Sequence, residues 1–553
     1  MSQDKLFVIG IGGTGMRCLE AFTHLCAIGM FDNQEIEVLT LDTDQLNGNK
    51  TKTENLIELY NRIKTSDSGH KGGTPNANTF FSAKLNLHRF WTDYSGSARA
   101  NYRSISKLAE GAPEKQKANK LVSDLFLDES SVQEFNLAHG YRAQTHLGSH
   151  LMYHAIIESA RNLASGANIA TQDKELEVFM NKLNEAGKLG ARVFVFGSIF
   201  GGTGASSIPV IPKAFQDFIQ IRSGGKSTLD FSKTKFGSTL LTEYFTFKKP
   251  DAKQMSTKDD SVIADSSFFP LNSQAALQFY QNDPTVQRTY KTMYHIGWPV
   301  ESKKMGEEKE SATITGGEKQ KNACHITEML CACAAYDFLT KSTGFDIEKA
   351  EYLYKSIEFK DNSFNLSFND FVGNENKAGE VFANRLGAFF SLAHIVLSIN
   401  GAGFNSDPKS GMRAFITRLE KQKLPEYNSI PDAECEEINE YLRQFAYTTD
   451  GGQQFFPGWL YQVRSTVAPG SFMFDSKAFT TNLRELQKID VGELFIEKKN
   501  HWPGGGLMSN RFDKFIDTLI DVKPEETQKV NTTKEKFMAH IYNAITKSQN
   551  FIN

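Results

Sequence analysis

Two clusters of glycine and threonine stand out by type and spacing: "GIGGTG" at 10–15 and "FGGTGAS" at 200–206. Each follows an apolar, β-rich run and leads into a helical pattern. Glycine reaches backbone conformations closed to other residues and holds no side chain between the chain and a ligand. Several together therefore let consecutive N–H groups converge on one anion. Where such a turn opens a helix, the unpaired first-turn amides and the positive end of the dipole face that same anion. The candidate phosphate ligands are Gly10, Gly12, Gly13, Thr14 and Gly15 in the first turn. In the second they are Gly201, Gly202, Thr203, Gly204, Ala205 and Ser206. One such turn can be an ordinary tight turn. Two, each after a strand, imply two sides of one polyphosphate.

The elements that must position these turns are readable as well. Residues 5–11 read as a strand, 15–31 as a helix with Leu19, Phe22, Leu25 and Cys26 on one face, and 35–44 as a strand ending in Asp42 and Asp44. This βαβ order implies a parallel sheet with ligands at the carboxyl ends of its strands. Residues 45–135 are polar and weakly periodic and read as an elaborated region. Further on, 139–164, 206–221 and 270–282 read as helices and 191–197, 236–247 and 291–299 as strands. A charged loop at 301–321 precedes a long, Ala-rich helix at 322–342, expected to be central. The pattern changes near 346. The expectation is an α/β nucleotide-binding domain over 1–345, a parallel sheet with helices on both faces, followed by a C-terminal α+β domain over 346–553.

Composition narrows the classes. The 553 residues are 40% hydrophobic and 23% charged, with a formal net charge of −3, so no global attraction to nucleic acid is expected. The six cysteines include no CxxC pair, which fits a reduced, cytoplasmic protein. With a strand read from about residue 5, no signal peptide is expected. The most apolar stretch, 386–399, is too short to span a membrane and reads as a buried helix.

Gly10, Gly12 and Gly15 fit a GxGxxG pattern, and Asp42 ends the next strand where a ribose-binding acid would stand. That points to a dinucleotide fold, and hence to an NAD(P)-dependent oxidoreductase as one alternative. A second glycine turn has no task in such a fold. Two turns, an acidic end to the second strand and a long helix after the sixth strand instead resemble the tubulin/FtsZ family, closest to its divergent bacterial members. The match lies in "GIGGTG" at 10–15, "LDTDQL" at 41–46, "FGSIFGGTGASSIPVI" at 196–211 and "TEYFTF" at 242–247, over roughly 5–345. Phe200 departs from the pattern by standing where the first signature glycine belongs.

The resemblance implies GTP with Mg²⁺, held by both turns together with Asp42 and Asp44. Asn322, at the start of the central helix, is the implied base contact, and Asn272 at another helix start is the alternative. Arg17 and Arg142 are the implied γ-phosphate contacts. Each has an ordinary reading beside it: asparagine caps helices and arginine decorates surfaces. Family members hydrolyse GTP with carboxylates supplied by a neighbour in a filament, which implies self-association. "FNLSFNDF" at 364–371 offers Asn365 and Asp370 at matching spacing, with Ser367 where the first acid belongs; its ordinary reading is an alternating strand. Glu328 and Asp337 on the central helix are further catalytic candidates. Ser367 also motivates a second expectation, a nucleotide-gated scaffold that does not hydrolyse its ligand and meets a protein partner through the C-terminal domain.

Two motifs carry less. His146, His150 and His154 recur at helical spacing without a nearby cysteine or carboxylate pair, so no metal ligands are assigned. "SGGKST" at 223–228 imitates a P-loop ending, but Gln220 stands where that loop needs glycine.

Overall fold

A computed structural model describes residues 4–44, 47–64, 73–92, 112–126, 145–167, 169–246, 266–299, 318, 320, 324–341, 350–354, 359–360, 363–364, 366–373, 377–398, 410–421, 424–450, 454–457, 519–522, 530 and 532–550. The chain opens with β1 (Lys5–Ile11), α1 (Gly12–Ala27), β2 (Glu35–Asp42), α2 (Gly48–Ile63) and β3 (Lys84–Trp91). Then follow α3 (Pro113–Phe126), α4 (Thr145–Ser165), α5 (Thr171–Gly187), β4 (Ala191–Phe196), α6 (Thr203–Ser207), α7 (Ile211–Arg222) and β5 (Thr234–Leu241). The sheet half closes with α8 (Phe269–Asn282), α9 (Pro284–Thr289), β6 (Tyr290–Ile296), α10 (Ile326–Thr340) and β7 (Glu351–Leu353).

These seven strands form one sheet in the order β3-β2-β1-β4-β5-β6-β7, and every pairing is parallel. Alternation along β1 shows how both faces are covered. Leu6 and Val8 join the core beneath α1, α2 and α10, whereas Phe7, Ile9 and Ile11 join the core beneath α4, α5 and α7. The α/β class and the helices on both faces are therefore as expected.

Several elements differ from expectation for local reasons. The helix expected at 206–221 is two helices, α6 and α7, separated at Ile208–Val210. Pro209 and Pro212 lack the N–H groups that a continuous helix would use. The strand expected over 236–247 ends at Leu241. Strand β3 lies in the region read as weakly periodic. It is an edge strand whose polar residues are paired: His88 Nε2 lies 2.7 Å from Glu37 Oε2, and Asn86 donates to Glu37 at 2.8 Å.

Beyond β7 come a short helix α11 (Phe368–Val372) and the longer α12 (Ala378–Ser398), α13 (Ser410–Lys421), α14 (Asp432–Ala446) and α15 (Thr533–Asn550). Their buried side chains share one continuous core with α1, α2 and α10. Phe389 packs on Phe80, Phe81 and Tyr441, and Tyr441 Oη lies 3.2 Å from His24 Nδ1. Arg385 pairs with Asp32 at 2.9 Å, and Lys534 Nζ donates to the Arg62 carbonyl at 3.1 Å. Among the described residues, no helix is long and apolar enough to cross a membrane.

Candidate functional site

The strand order reverses direction between β1 and β4, and at such a switch point the connections leave to opposite faces and open a crevice at the carboxyl edge. Both glycine turns are there. The first leads straight from Ile11 into α1, whose N-cap makes no side-chain hydrogen bond. Gly12 sits at φ +66°, and a Cβ on Gly15 would lie 2.5 Å from the Phe196 carbonyl oxygen of β4. Only glycine allows α1 to start this close to the sheet.

The second turn is held by its neighbours. Ile199 N–H donates to the Leu241 carbonyl at 2.9 Å. A Cβ on Gly204 would lie 2.6 Å from the Ser198 carbonyl oxygen. Phe200, the departure from the family pattern, turns inward and packs on Tyr244, Phe245 and Phe269. Asn272 Nδ2 donates to the Phe200 carbonyl at 3.2 Å, Tyr280 Oη to the Ala205 carbonyl at 2.6 Å and Ser149 Oγ to the Ser206 carbonyl at 2.7 Å. The two turns touch: a Cβ on Gly12 would lie 3.0 Å from the Cβ of Thr203. Gly13, Thr14, Gly201, Gly202 and Thr203 are partly exposed along this seam.

Asp42 and Asp44 are buried at the adjacent strand end. Leu41 pairs with Ile11, so Asp42 stands beside Gly12, and alternation puts it on the α1 side of the sheet. Its Oδ1 accepts from the amides of Thr43 at 2.8 Å and Asp44 at 3.2 Å. Its Oδ2 is buried and accepts no hydrogen bond among the described residues. Burial, reinforced by the Asp44 charge, pushes the Asp42 carboxyl up to about 7. Asn47 and Gln320, which sequence reasoning passed over, complete this side. Asn47 Oδ1 caps α2, and its Nδ2 donates to Gln320 Oε1 at 2.7 Å.

Arg17 and Glu328 are brought together one turn below the crevice. The guanidinium meets Glu328 Oε1 at 2.5 Å and lies over the Tyr244 ring, while Tyr244 Oη donates to the same carboxylate at 2.6 Å. Glu328 Oε2 accepts the His325 amide at 3.1 Å, closing a capping box at the start of α10. Arg17 and Glu328 are 2% and 0% exposed, which places both inside the α1–α10 interface. Burial raises the Glu328 carboxyl and Arg17 opposes it; His325, also buried and facing Arg17, is lowered to about 3. At the far end of α10, Arg192 donates to the carbonyls of Phe338, Leu339 and Lys341 at 3.2, 3.0 and 2.6 Å.

Asp370 lies at the third position of α11, where Oδ2 accepts from Ser367 N at 2.6 Å and Ser367 Oγ at 2.9 Å. Asp337 accepts from Tyr294 Oη at 2.5 Å. Asn322, Arg142 and Asn365 lie outside the described residues. His150 and His154 stack edge to face at 6.4 Å, and no group of three or more metal-ligating side chains forms among the described residues. The asparagine–glycine pair "NG" at 47–48 carried a capping signal. Nothing around Gln320 did, because it lies in a charged stretch without periodicity. Neither protein-family models nor curated proteins gave a match to this chain.

Proposed function

We propose that this chain binds a nucleoside triphosphate, GTP with Mg²⁺, in the manner of the tubulin/FtsZ family, and that it self-associates with hydrolysis coupled to assembly. The observation that carries the proposal is the contact of Gly12 with Thr203, which sets two glycine turns side by side at the switch point. The strand order by itself is shared with dinucleotide folds. The second turn distinguishes the cases, since a triphosphate has phosphate oxygens enough for both.

When bound, magnesium neutralises phosphate charge, commonly through one or two carboxylates and several waters. Asp42 and Asp44 are the carboxylates on this edge, and the unpartnered Asp42 Oδ2 fits such a role. Thr14 and Thr203 offer hydroxyls beside the backbone amides. Asn272, fixed on the Phe200 carbonyl, stands beside the second turn as the described candidate for a base contact.

A second reading, the scaffold that binds but does not hydrolyse, is favoured by one specific observation. The carboxylates of Glu328 and Asp370 are both engaged in capping boxes. Calorimetric titration with GTP, ATP and NADH, on the wild type and on Gly202→Val, tests the binding proposal. GTP binding that the substitution abolishes supports it; NADH binding that survives the substitution contradicts it in favour of an oxidoreductase.

A further inference from the structure

Glu318 and Gln320 lie against the start of α2, and Gln320 also lies against the first glycine turn, where two glycines make room for them. A Cβ on Gly48 would lie 2.3 Å from the Glu318 carbonyl oxygen and 2.9 Å from that of Gln320. A Cβ on Gly13 would lie 2.9 Å from Gln320 Oε1 and 3.0 Å from Asn47 Nδ2. The side-chain amide of Gln320 therefore stands directly over the backbone of the cradle.

Its orientation follows from its partner. Asn47 Oδ1 accepts from the amides of Asn49 at 2.9 Å and Lys50 at 3.2 Å, as an N-cap does. That leaves Nδ2 to face outward, where it donates to Gln320 Oε1 at 2.7 Å. With its oxygen held by Asn47, Gln320 presents Nε2, a donor only, on its other side. The order of donors runs from the α2 amides through Asn47 to Gln320, so the helix dipole and both side-chain dipoles point the same way, and each bond polarises the next.

We propose that Asn47 and Gln320 form a donor relay that completes the phosphate cradle, with Gln320 Nε2 donating to a phosphate oxygen of the bound triphosphate. The inference rests on the reading of this site as a triphosphate site. It assigns a ligand contact to Gln320, a residue outside both glycine turns.

The test compares Gln320→Glu, Gln320→Ala and Asn47→Ser with the wild type. Serine keeps the cap on α2 but cannot hold Gln320, and Gln320 is partly exposed, so its variants leave the core intact. Affinities for GTP and for guanosine are read by displacement of a fluorescent guanine nucleotide. Gln320→Glu removes a hydrogen bond to a charged group and sets a carboxylate against the phosphate, so it is expected to weaken GTP about tenfold or more. Gln320→Ala and Asn47→Ser should weaken it several-fold, and guanosine should be unaffected by all three. Unchanged GTP affinity in Gln320→Glu, or an equal loss for GTP and guanosine, would overturn the relay while leaving the site standing. A wild type that binds no triphosphate would overturn the site itself, and the relay with it.

Discussion

Gly12 and Thr203 are separated by almost two hundred positions, yet a single Cβ on Gly12 would come within 3.0 Å of the threonine Cβ. Gly12 also holds φ +66°, where an L side chain costs about 1–2 kcal/mol. Gly12→Ala is therefore expected to destabilise the chain modestly and to push the second turn off its seat. Calorimetry should show GTP affinity falling about tenfold or more, as expected for at least one lost charge-assisted bond. Retained affinity would mean that the two turns do not share a ligand.

The ion pair of Arg17 and Glu328 predicts a double-mutant result. Removing one partner of a buried pair strands the other, at a cost of about 3–5 kcal/mol, whereas replacing both with apolar residues of similar size is much less harmful. Arg17→Met and Glu328→Met should each lower the midpoint of chemical unfolding strongly, and the double variant should recover most of the loss. Additive effects would show that the pair is not coupled in solution.

Acid should weaken the fold through two buried imidazoles. Burial lowers both His24 and His325 to about 3, from the ordinary 6.5. Their contribution is complete above the unfolded value and is lost as pH falls toward 3, because the unfolded chain binds the protons. His325 caps α10 through Nδ1, which accepts from the Thr327 amide at 3.3 Å. His325→Asn keeps a capping side chain without the titration, so its stability should fall less steeply than that of the wild type below about pH 6.5. Parallel slopes in urea melts would contradict this.

Asp370 tests the choice between enzyme and scaffold. Asp370→Ala should cost about 1 kcal/mol as a lost capping interaction. If Asp370 serves only α11, any GTP turnover persists unchanged in the folded variant. Loss of turnover at constant GTP affinity would restore the residue to the catalytic loop implied by the family resemblance.

The βαβ start was legible because β1 is a continuous apolar run, β2 carries Ile36, Val38, Leu39 and Leu41 at strand spacing, and the glycines mark the turn from β1 into α1. The second turn was legible for the same reason. Strand β3 was not, since the polar side chains on it gain their partners from β2 and α2, which no local pattern announces; Asn86 reaches Glu37 on β2 at 2.8 Å and Arg89 reaches Glu54 on α2 at 3.2 Å. Arg17 read as a phosphate contact from its place one turn past the glycines, but helical geometry carries it to the face that meets α10. Gln320 was silent in the sequence because its role depends on Asn47 and Gly48, far away in the chain.

Whether the paired glycine turns hold a triphosphate and couple it to assembly is read from nucleotide turnover across a protein concentration series, with GTP and ATP side by side and light scattering read from the same cuvette. GTP is expected to bind selectively, with scatter rising and the specific rate climbing as protein concentration rises. GTP binding with flat turnover would favour the scaffold. Absence of binding by either triphosphate would contradict the assignment of the paired glycine turns as a phosphate cradle.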